Sequence, residues 1–391
     1  MRTYEASHPW LKFELDLRQA PAPLWMALGE IRSKCEHTAG VPLDKETEDQ
    51  LYRLYLTRGV QATTAIEGNT LTEDQVRQRI EGKLKLPASM AYLGQEVDNI
   101  VTACNTILEG IVAGRPTDLT VDLIKSFNKL VLAALPLAEN VVPGETRKTP
   151  VVVGSYRGAP ADDCEYLLDR LCSFLNAKRE RTTGLDRLST SVLLAVMAHL
   201  YLAWIHPFGD GNGRTARLVE FLLLLDGGVP APAAHLLSNH YNQTRQSYYL
   251  ELERASRSGG EVIPFLLYAL QGFVDGLKRQ LADIRGYQHK TIWRDYVSRV
   301  LQVQGGTESV QVRARQRELV IALSERDQLV PVSEVTFLTP AIARAYARKT
   351  RKTVSRDLNA LRDLGLVEVS RNGVRARIET ILAFLPPKKG T

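Results

Sequence analysis

The segment His206–Arg217, with the sequence HPFGDGNGRTAR, constrains this chain most, because it joins two strongly helical stretches through a glycine-rich loop. Pro207 disfavours helical backbone at the residue before it, so we expect the preceding helix to end at His206. The run Gly211-Asn212-Gly213 allows a tight turn and lets backbone N–H groups approach a ligand without obstruction by a Cβ atom. We predict that a new helix spans residues 214–226.

A helix N-terminus that is reached through glycines favours an anion, because its free N–H groups and the helix dipole both attract negative charge. Arg214 and Arg217 lie three residues apart on one helix face, where they can grip successive phosphates. Each residue also has an ordinary interpretation: His206 as a helix cap, Asp210 as a turn residue and the arginines as solvated surface. Their occurrence together favours transfer chemistry on a nucleoside triphosphate.

The segment resembles, at every defining position, the HPFx[DE]GNGRxxR signature of Fic-domain proteins, which mostly transfer AMP from ATP to a hydroxyl side chain of a target protein. The resemblance implies that His206 is the general base and that Asp210 holds Mg²⁺. It implies that Arg214 holds the β- and γ-phosphates and that Arg217 holds the γ-phosphate. The α-phosphate would lie against Asn212 and the amides of Gly209, Gly211 and Gly213. An imidazole with a pKa near 6.5 is suited to take a hydroxyl proton.

A second motif, Thr63–Asn69, lies about 140 residues upstream and resembles the [ST]xxxE[GN] inhibitory motif that many Fic proteins carry on a helix. Thr63 and Glu67 are four residues apart and share a helix face, and Gly68 is placed to end the helix. The alternative is a surface glutamate before a helix end. Beside an intact signature, the resemblance implies a salt bridge from Glu67 to Arg217 that blocks the productive pose of the γ-phosphate.

The β-branched run Val151–Gly154 follows a turn-rich lead and predicts a short strand in an otherwise helical chain. It resembles the Fic flap, a hairpin over the active site that docks the target segment by main-chain pairing. The resemblance implies that Val153, Gly154, Ser155 and Tyr156 line the nucleotide and the target. The alternative is an ordinary connecting hairpin.

A helix predicted over residues 248–257 resembles the segment that closes the adenine pocket in Fic folds. The resemblance implies Tyr248 and Ser256 as adenine contacts. A pair of adjacent tyrosines at a helix start is also compatible with a role in the core.

The composition is that of an ordinary globular protein: 391 residues, 44% hydrophobic and 24% charged. Four cysteines show no metal-ligand spacing and no disulfide framework, as expected for a cytoplasmic protein. The N-terminal residues have no apolar signal-peptide core, and we expect no membrane association. In the apolar stretch 188–205, Leu193, Met197, Leu200 and Trp204 recur at helical spacing, which predicts a buried core helix.

These patterns predict a mainly α-helical protein with a Fic-type helical core, a small β-hairpin flap and a C-terminal winged helix-turn-helix. We expect an N-terminal helical region over residues 1–100, with the inhibitory helix at about 60–69. The catalytic core would span 101–285 and the C-terminal module 290–391. Further helices are predicted over residues 46–56, 72–83, 90–108, 121–132, 165–175, 190–205 and 264–285.

Charge separates the C-terminal module from the rest of the chain. Residues 290–391 contain 19 lysines and arginines against 10 aspartates and glutamates, whereas the remaining residues contain 31 against 34. Helices predicted over 315–323, 340–346 and 350–364 precede a hairpin with an Asn-Gly turn, an order that resembles a winged helix-turn-helix. Its third helix carries Lys352, Ser355, Arg356 and Asn359 on the face opposite its apolar residues, where a recognition helix would meet the major groove. DNA binding and protein interaction both remain open.

The leading hypothesis is an autoinhibited protein adenylyltransferase that uses ATP and Mg²⁺ and modifies hydroxyls of a target protein and of itself. Fic proteins often form dimers, so a homodimer is also expected from the resemblance. One alternative is a DNA-binding regulator whose core senses ATP without turnover, against which the intact His206 argues. Another is a bifunctional enzyme in which Glu67 aligns a water and AMP is also removed. The signature does not fix the base of the nucleotide.

Overall fold

The computed structural model describes residues 2–154, 156–180, 184–303, 309–326 and 328–382. The chain divides into two compact units, Met1–Ala282 and Asp283–Thr391. The first unit is helical apart from one short hairpin. Its helices are α1 (Thr3–Ser7), α2 (Ala22–Gly40), α3 (Lys45–Ile66), α4 (Glu73–Ile80), α5 (Ala91–Val112), α6 (Val121–Val131), α7 (Cys164–Glu180), α8 (Arg187–Ile205), α9 (Asn212–Asp226), α10 (Leu236–Gln243) and α11 (Arg245–Arg257).

The hairpin consists of β1 (Val152–Val153) and β2 (Tyr156–Arg157), which pair antiparallel with Val152 opposite Arg157 and Val153 opposite Tyr156. Both valines are exposed, so the strands are held by main-chain pairing and by Tyr156, whose hydroxyl donates to the carbonyl of Trp204 at 2.8 Å. The predicted strand is therefore the first arm of a hairpin. We call residues 152–157 the flap.

Helix α8 forms the centre of the first unit. Leu193, Met197, Leu200 and Trp204 are all buried, as the sequence pattern predicts. Within the described part of the chain, α8 is the helix that is long and apolar enough to cross a membrane, but 89% of its apolar window is buried inside the protein. It is thus the core helix of this unit. It packs along α9, and the loop between these two helices carries the glycine-rich segment.

Several elements differ from the predictions. Helix α3 does not end near residue 56 but continues to Ile66, so Thr63–Ile66 form its last turn and the rest of the Thr63–Asn69 motif follows directly. Gly59 lies inside this helix, and only glycine fits there because a Cβ atom would clash with the ring of His235. Close packing of α3 on α10 thus overrides the low helix propensity of glycine. Helices α1, α2 and α10 were not among the predicted helices.

Helix α12 (Ile263–Val303) begins in the first unit and continues into the second, through residues 285–290 where the sequence predicts a boundary. The second unit further contains α13 (Val310–Ser324), α14 (Pro340–Tyr346), α15 (Arg351–Asp363), β3 (Val367–Ser370) and β4 (Gly373–Ala376). This order of helices and hairpin is the predicted one. Assignment to the winged helix-turn-helix class stays a prediction.

One buried carboxylate organises the three helices that follow α12 in the second unit. Asp357 on α15 accepts hydrogen bonds from Arg315 Nε of α13 at 2.8 Å and from the hydroxyl of Tyr346 of α14 at 2.9 Å. Around this group lies an apolar core that includes Leu319, Leu358 and Leu361. The opposite face of α15 is exposed, and it contains Lys352, Ser355, Arg356 and Asn359.

Candidate active site

His206 lies directly after α8 in the left-handed backbone region, with φ 50° and ψ 59°. A residue with a side chain adopts this conformation only where its surroundings hold it, at a cost of roughly 1–3 kcal/mol. Arg147 stabilises this backbone conformation of His206. Its buried guanidinium donates to the carbonyl of His206 at 2.8 Å, to the carbonyl of Thr149 at 2.8 Å and to the carbonyl of Ala159. Arg147 therefore joins the segment before the flap to the backbone of His206.

The environment of the His206 imidazole keeps it neutral. Burial is the main cause and, with the positive charge of Arg147, it lowers the pKa of His206 to about 4, although the carbonyl of Ala203 accepts a hydrogen bond from the ring. The carboxylates of Glu67 and Asp210 act in the opposite direction. A neutral imidazole at physiological pH has a free lone pair and is able to accept a proton.

The glycine-rich loop is held by two asparagines. Asn212 accepts from the backbone N–H of Phe208 at 2.9 Å and donates to the carbonyl of the same residue at 2.8 Å. Asn128 of α6 donates to the carbonyl of Asp210 at 2.9 Å. Gly211 has a φ of 74°, and a Cβ atom there would lie 3.1 Å from the side-chain nitrogen of Asn128, so a larger residue at this position would be strained. The amide of Asn212 is thus committed to shaping the loop, and its predicted contact with phosphate would have to come from its backbone N–H.

Arg217 points from α9 towards the end of α3. Its Nη2 lies 2.6 Å from Oε1 of Glu67 and donates to the carbonyl of Thr63 at 3.0 Å, and its Nε donates to the hydroxyl of Thr63 at 2.5 Å. The side chain of Arg217 is 2% exposed and that of Glu67 is 31% exposed. The structure thus contains the predicted contact between Glu67 and Arg217.

Electrostatics favour the charged form of this pair. Burial by itself raises the pKa of Glu67, but the charge and hydrogen bond of Arg217, aided by Arg214 and His206, outweigh it and lower the pKa. One nitrogen of the guanidinium, Nη1, is buried and has no hydrogen-bond partner among the described residues. A buried donor without a partner is costly, so this nitrogen is a place where a ligand oxygen would stabilise the protein.

Arg214 is also buried and lies between two carboxylates. Its Nη1 donates to Glu96 of α5 at 3.0 Å and its Nη2 donates to Asp210 at 3.2 Å. Asp210 also accepts from the backbone N–H of Gly211. Neither Glu96 nor Arg147 was predicted, because nothing near them in the sequence signals their distant partners.

A cavity of about 740 Å³ connects these elements, a size within the range of about 300–1,000 Å³ that is typical of small-molecule sites. It contains the predicted residues Glu67, Val153, Gly154, Tyr156, His206, Gly213 and Tyr248, and it adds Ile66, Ala203, Trp204, Gln246, Tyr249, Leu250, Leu252 and Glu253. The flap, the end of α3, the start of α9 and one face of α11 therefore surround one space.

Tyr248 and Ser256 have different positions. Tyr248 lines the cavity, and its hydroxyl is 2.9 Å from Nε2 of His199, so the ring rather than the hydroxyl is available to a ligand. Ser256 lines a separate pocket with His8 and Trp10, and its hydroxyl donates to the carbonyl of Glu253. The structure does not bring Ser256 to the cavity. The predicted contact of Ser155 lies outside the described residues.

Arg245, the first residue of α11, holds the end of α3. Its guanidinium donates to the carbonyls of Ala65 at 3.2 Å and Ile66 at 2.6 Å. These carbonyls belong to the last turn of α3, where a cation also interacts favourably with the helix dipole. The inhibitory motif is thus fixed both to α9 and to α11.

The residues present fit Mg²⁺ only if a bound triphosphate supplies further ligands to the ion. Among the described residues, no group of three or more histidine, cysteine, aspartate or glutamate side chains is placed to hold a metal ion. Mg²⁺ commonly binds through one or two carboxylates and completes its shell with waters and phosphate oxygens. Asp210, whose side chain is 49% exposed, is the carboxylate on the glycine-rich loop and is suited to that role.

The first unit is mainly helical, and it places His206 beside the glycine-rich N-terminus of α9. Residues 118–224 of this chain match the Fic/DOC family. The predicted mainly helical fold is confirmed by solved structures. A Fic family protein from Desulfovibrio desulfuricans aligns with 91% of this chain and 93% of its own, at 20% identity and a TM-score of 0.57.

Two nematode proteins extend the comparison. The chain is similar to Fic-1 (residues 134–508) from Caenorhabditis elegans, with 25% identity, a TM-score of 0.54 and coverage of 68% of this chain and 73% of that one. It is 27% identical over 257 residues to protein adenylyltransferase fic-1 of Caenorhabditis briggsae, which corresponds to 66% of this chain and 46% of that protein. The chain thus spans about half the length of this curated relative.

Proposed function

We propose that this protein is a protein adenylyltransferase that transfers AMP from Mg²⁺-bound ATP to a hydroxyl side chain of a target protein. The observation that carries the proposal is the single cavity in which the neutral His206, the N-terminus of α9 and the flap meet. The similarity to proteins named protein adenylyltransferase supports AMP as the transferred group.

Residues that line the cavity, together with Asp210, Arg214 and Arg217 near its His206–Gly213 wall, supply what the reaction needs. The Nε2 or Nδ1 lone pair of His206 takes the proton of the target hydroxyl, whose oxygen then forms a bond to the α-phosphorus. The bond from that phosphorus to the bridging oxygen of the β-phosphate breaks, and pyrophosphate leaves. Arg214, Arg217 and the helix N-terminus neutralise the charge on the phosphates, and bound Mg²⁺ would share that task through Asp210.

The same residues support an inhibited resting state. Oε1 of Glu67 lies 2.6 Å from Nη2 of Arg217, the residue proposed to hold the γ-phosphate. A phosphate that approached Arg217 would be repelled by this carboxylate. ATP must therefore displace Glu67 or bind in a pose that leaves the α-phosphorus out of line with the hydroxyl. We infer that Glu67 is an inhibitory latch on Arg217.

The proposal is tested with purified Glu67→Gly protein, in which the latch is removed, and ATP that carries radiolabel on either the α- or the γ-phosphate. Label on protein from α-labelled but not from γ-labelled ATP is the expected result, and chelation of Mg²⁺ or Asp210→Ala should abolish it. Label from the γ-position would indicate a kinase, and no label from either would leave a nucleotide sensor. Loss of α-label from modified protein after ATP is removed would show that AMP is also taken off.

A second function, DNA binding, is favoured by one feature of the second unit. The stretch from Arg344 to Arg356 contains six lysines and arginines and no aspartate or glutamate. All six cations are exposed, and they surround the start of α15: Arg344, Arg348, Lys349, Arg351, Lys352 and Arg356. A cluster of cations on an exposed helix suits a polyanion such as duplex DNA.

Binding of the full chain to duplex DNA over a range of salt concentrations tests this function. Replacement of both Lys352 and Arg356 by alanine should weaken binding and reduce the slope of log K against log salt by about one for each phosphate that the protein no longer neutralises. Arg362→Ala is the matched control, because Arg362 lies on the same helix but pairs with Asp363. No binding even at low salt would leave protein interaction as the role of this unit.

A further inference from the structure

The position of Arg214 is set from two sides. Glu96 holds Nη1 and Asp210 holds Nη2, at 3.0 and 3.2 Å. The Nε of Arg214 is buried and has no hydrogen-bond partner among the described residues. The side chains of Arg214 and Glu96 are 5% and 15% exposed, so this pair is largely removed from water, whereas Asp210 is half-exposed.

Glu96 is itself fixed through its second oxygen. Oε2 accepts from the side-chain nitrogen of Asn69 at 2.8 Å. That nitrogen also donates to the carbonyl of Leu93 at 3.0 Å, and the oxygen of Asn69 accepts from the backbone N–H of Leu71 at 3.0 Å. A carboxylate with both oxygens bonded to buried partners keeps one orientation, and it imposes that orientation on the guanidinium it holds.

Asp210 and Glu96 would differ in whether their contacts with Arg214 change when a nucleotide binds. Asp210 is the proposed ligand of Mg²⁺, so its contact with Arg214 is shared with the metal. Glu96 has no such second task, and its bond to Nη1 does not use the Nε of Arg214. The ion pair of Glu96 with Arg214 is therefore the contact that would be kept both without and with bound nucleotide.

We propose that Glu96 is the positioning residue for Arg214: it keeps the guanidinium oriented towards the terminal phosphates of a nucleoside triphosphate and does not itself touch the nucleotide. This inference rests on the proposed function. An arginine that is oriented in advance loses less conformational freedom on binding, so Glu96 acts on nucleotide affinity more than on the chemical step.

The test compares Glu96→Ala and Glu96→Gln, both made in a Glu67→Gly parent so that the latch does not obscure nucleotide binding. Asp98→Ala is the matched control, since Asp98 also lies on α5 and pairs with an arginine, but with Arg79. For Glu96→Ala we expect KM for ATP to rise about tenfold with kcat within about threefold, the size of effect of losing one charge-assisted hydrogen bond. Glu96→Gln retains an acceptor oxygen and should recover most of the loss, and Asp98→Ala should change neither constant.

Calorimetric titration of the same variants with Mg²⁺-ATP separates this inference from the proposed function. If the parent binds ATP but transfers no AMP, the proposed function fails, while a higher Kd in Glu96→Ala still supports the positioning role. A purely structural role would lower the melting temperature and kcat and leave KM and Kd unchanged. That result, an equal effect of Asp98→Ala, or a parent that binds no ATP overturns the inference.

Discussion

Glu67 lies over Gly213: a Cβ atom at position 213 would be 2.1 Å from Oε1 of Glu67. The same oxygen is 2.6 Å from Nη2 of Arg217. Because Gly213 belongs to the first turn of α9, the carboxylate occupies the place at the helix N-terminus where a phosphate would bind. If the proposed function holds, Glu67 and a phosphate of the nucleotide would therefore compete for one position.

Glu67→Gly should raise AMP transfer and self-modification at least about tenfold, since removing a competing anion worth about 1.4 kcal/mol already gives that factor. Without nucleotide the variant should melt at a lower temperature, because Arg217 is left buried and unpaired. It should gain more from added ATP than wild type does. Arg217→Ala releases the latch but also removes a phosphate ligand, so it should not activate. Equal transfer in wild type and Glu67→Gly would mean that Thr63–Asn69 is only a helix end.

Thr63→Val tests the hydrogen bond between Arg217 and the hydroxyl of Thr63. The variant loses the hydroxyl that accepts from Nε at 2.5 Å, a bond to a charged donor that contributes about 1.5–3 kcal/mol. The carbonyl of Thr63 and Glu67 remain, so we expect activation smaller than that of Glu67→Gly and a modest fall in melting temperature. Thr63→Ser keeps the hydroxyl and should behave as wild type. Unchanged transfer in Thr63→Val would restrict the latch to Glu67.

His206→Ala should lower transfer by roughly 10²–10⁴-fold and leave the Kd for ATP within a few-fold, since a general base acts on the rate and little on ground-state affinity. The measurement combines label incorporation with calorimetric titration, both in the Glu67→Gly parent. Near-full transfer by this variant would refute the role of His206 as the base.

Arg147→Ala should destabilise the protein by about 3 kcal/mol or more and abolish transfer, because three carbonyls lose a charged donor and the left-handed backbone of His206 loses its support. The neighbouring exposed residue provides the control: Lys148→Ala should leave the urea unfolding midpoint and the transfer rate unchanged. A stable Arg147→Ala protein with normal transfer would show that the loop keeps its shape by other contacts.

Stability should fall as the pH falls from about 6.5 to 4, and His235 contributes to this. Burial lowers the pKa of His235 to about 4, whereas in the unfolded chain the imidazole takes up its proton near pH 6.5. The unfolded state therefore binds the proton first, and up to about 3 kcal/mol of stability is lost across this interval. His235→Asn should show a shallower dependence of unfolding free energy on pH. An unchanged slope would mean that His235 titrates normally in the folded protein.

The sequence predicts the helices and turns whose signals are local. It misses partners that are distant in the chain unless a motif resemblance supplies them, as it does for Glu67 and Arg217. The end of α8 at His206 and the turn before α9 follow from proline and glycine next to the residues concerned. In contrast, Glu96 lies 118 positions from Arg214, and Arg147 lies 59 positions from His206. A glutamate on an amphipathic helix and an arginine in a turn have many ordinary interpretations, and only tertiary packing selects one.

Helix length shows the same limitation. The continuity of α3 beyond residue 56 could not be predicted because Gly59 weakens the local helical pattern, and the packing that compensates for it involves His235, which is remote in sequence. For Ser256, the resemblance implied an adenine contact shared with Tyr248, but α11 directs the two residues into different pockets.

The end of α3 sets the timescale on which the latch opens. Ile66 is the last helical residue and Glu67 follows it. The carbonyls of the last turn are bonded to Arg217, to Arg245 or to the backbone of Glu67, Gly68 and Asn69. The carboxylate can leave Arg217 by rotation of its own side chain while the backbone of α3 stays in place. Such rotations take place in picoseconds to nanoseconds at exposed positions, far faster than the microseconds to milliseconds of collective helix motions. Opening of the latch should therefore be a rapid equilibrium that precedes slower steps of turnover, and amide exchange in α3 should be the same whether the latch is closed or open.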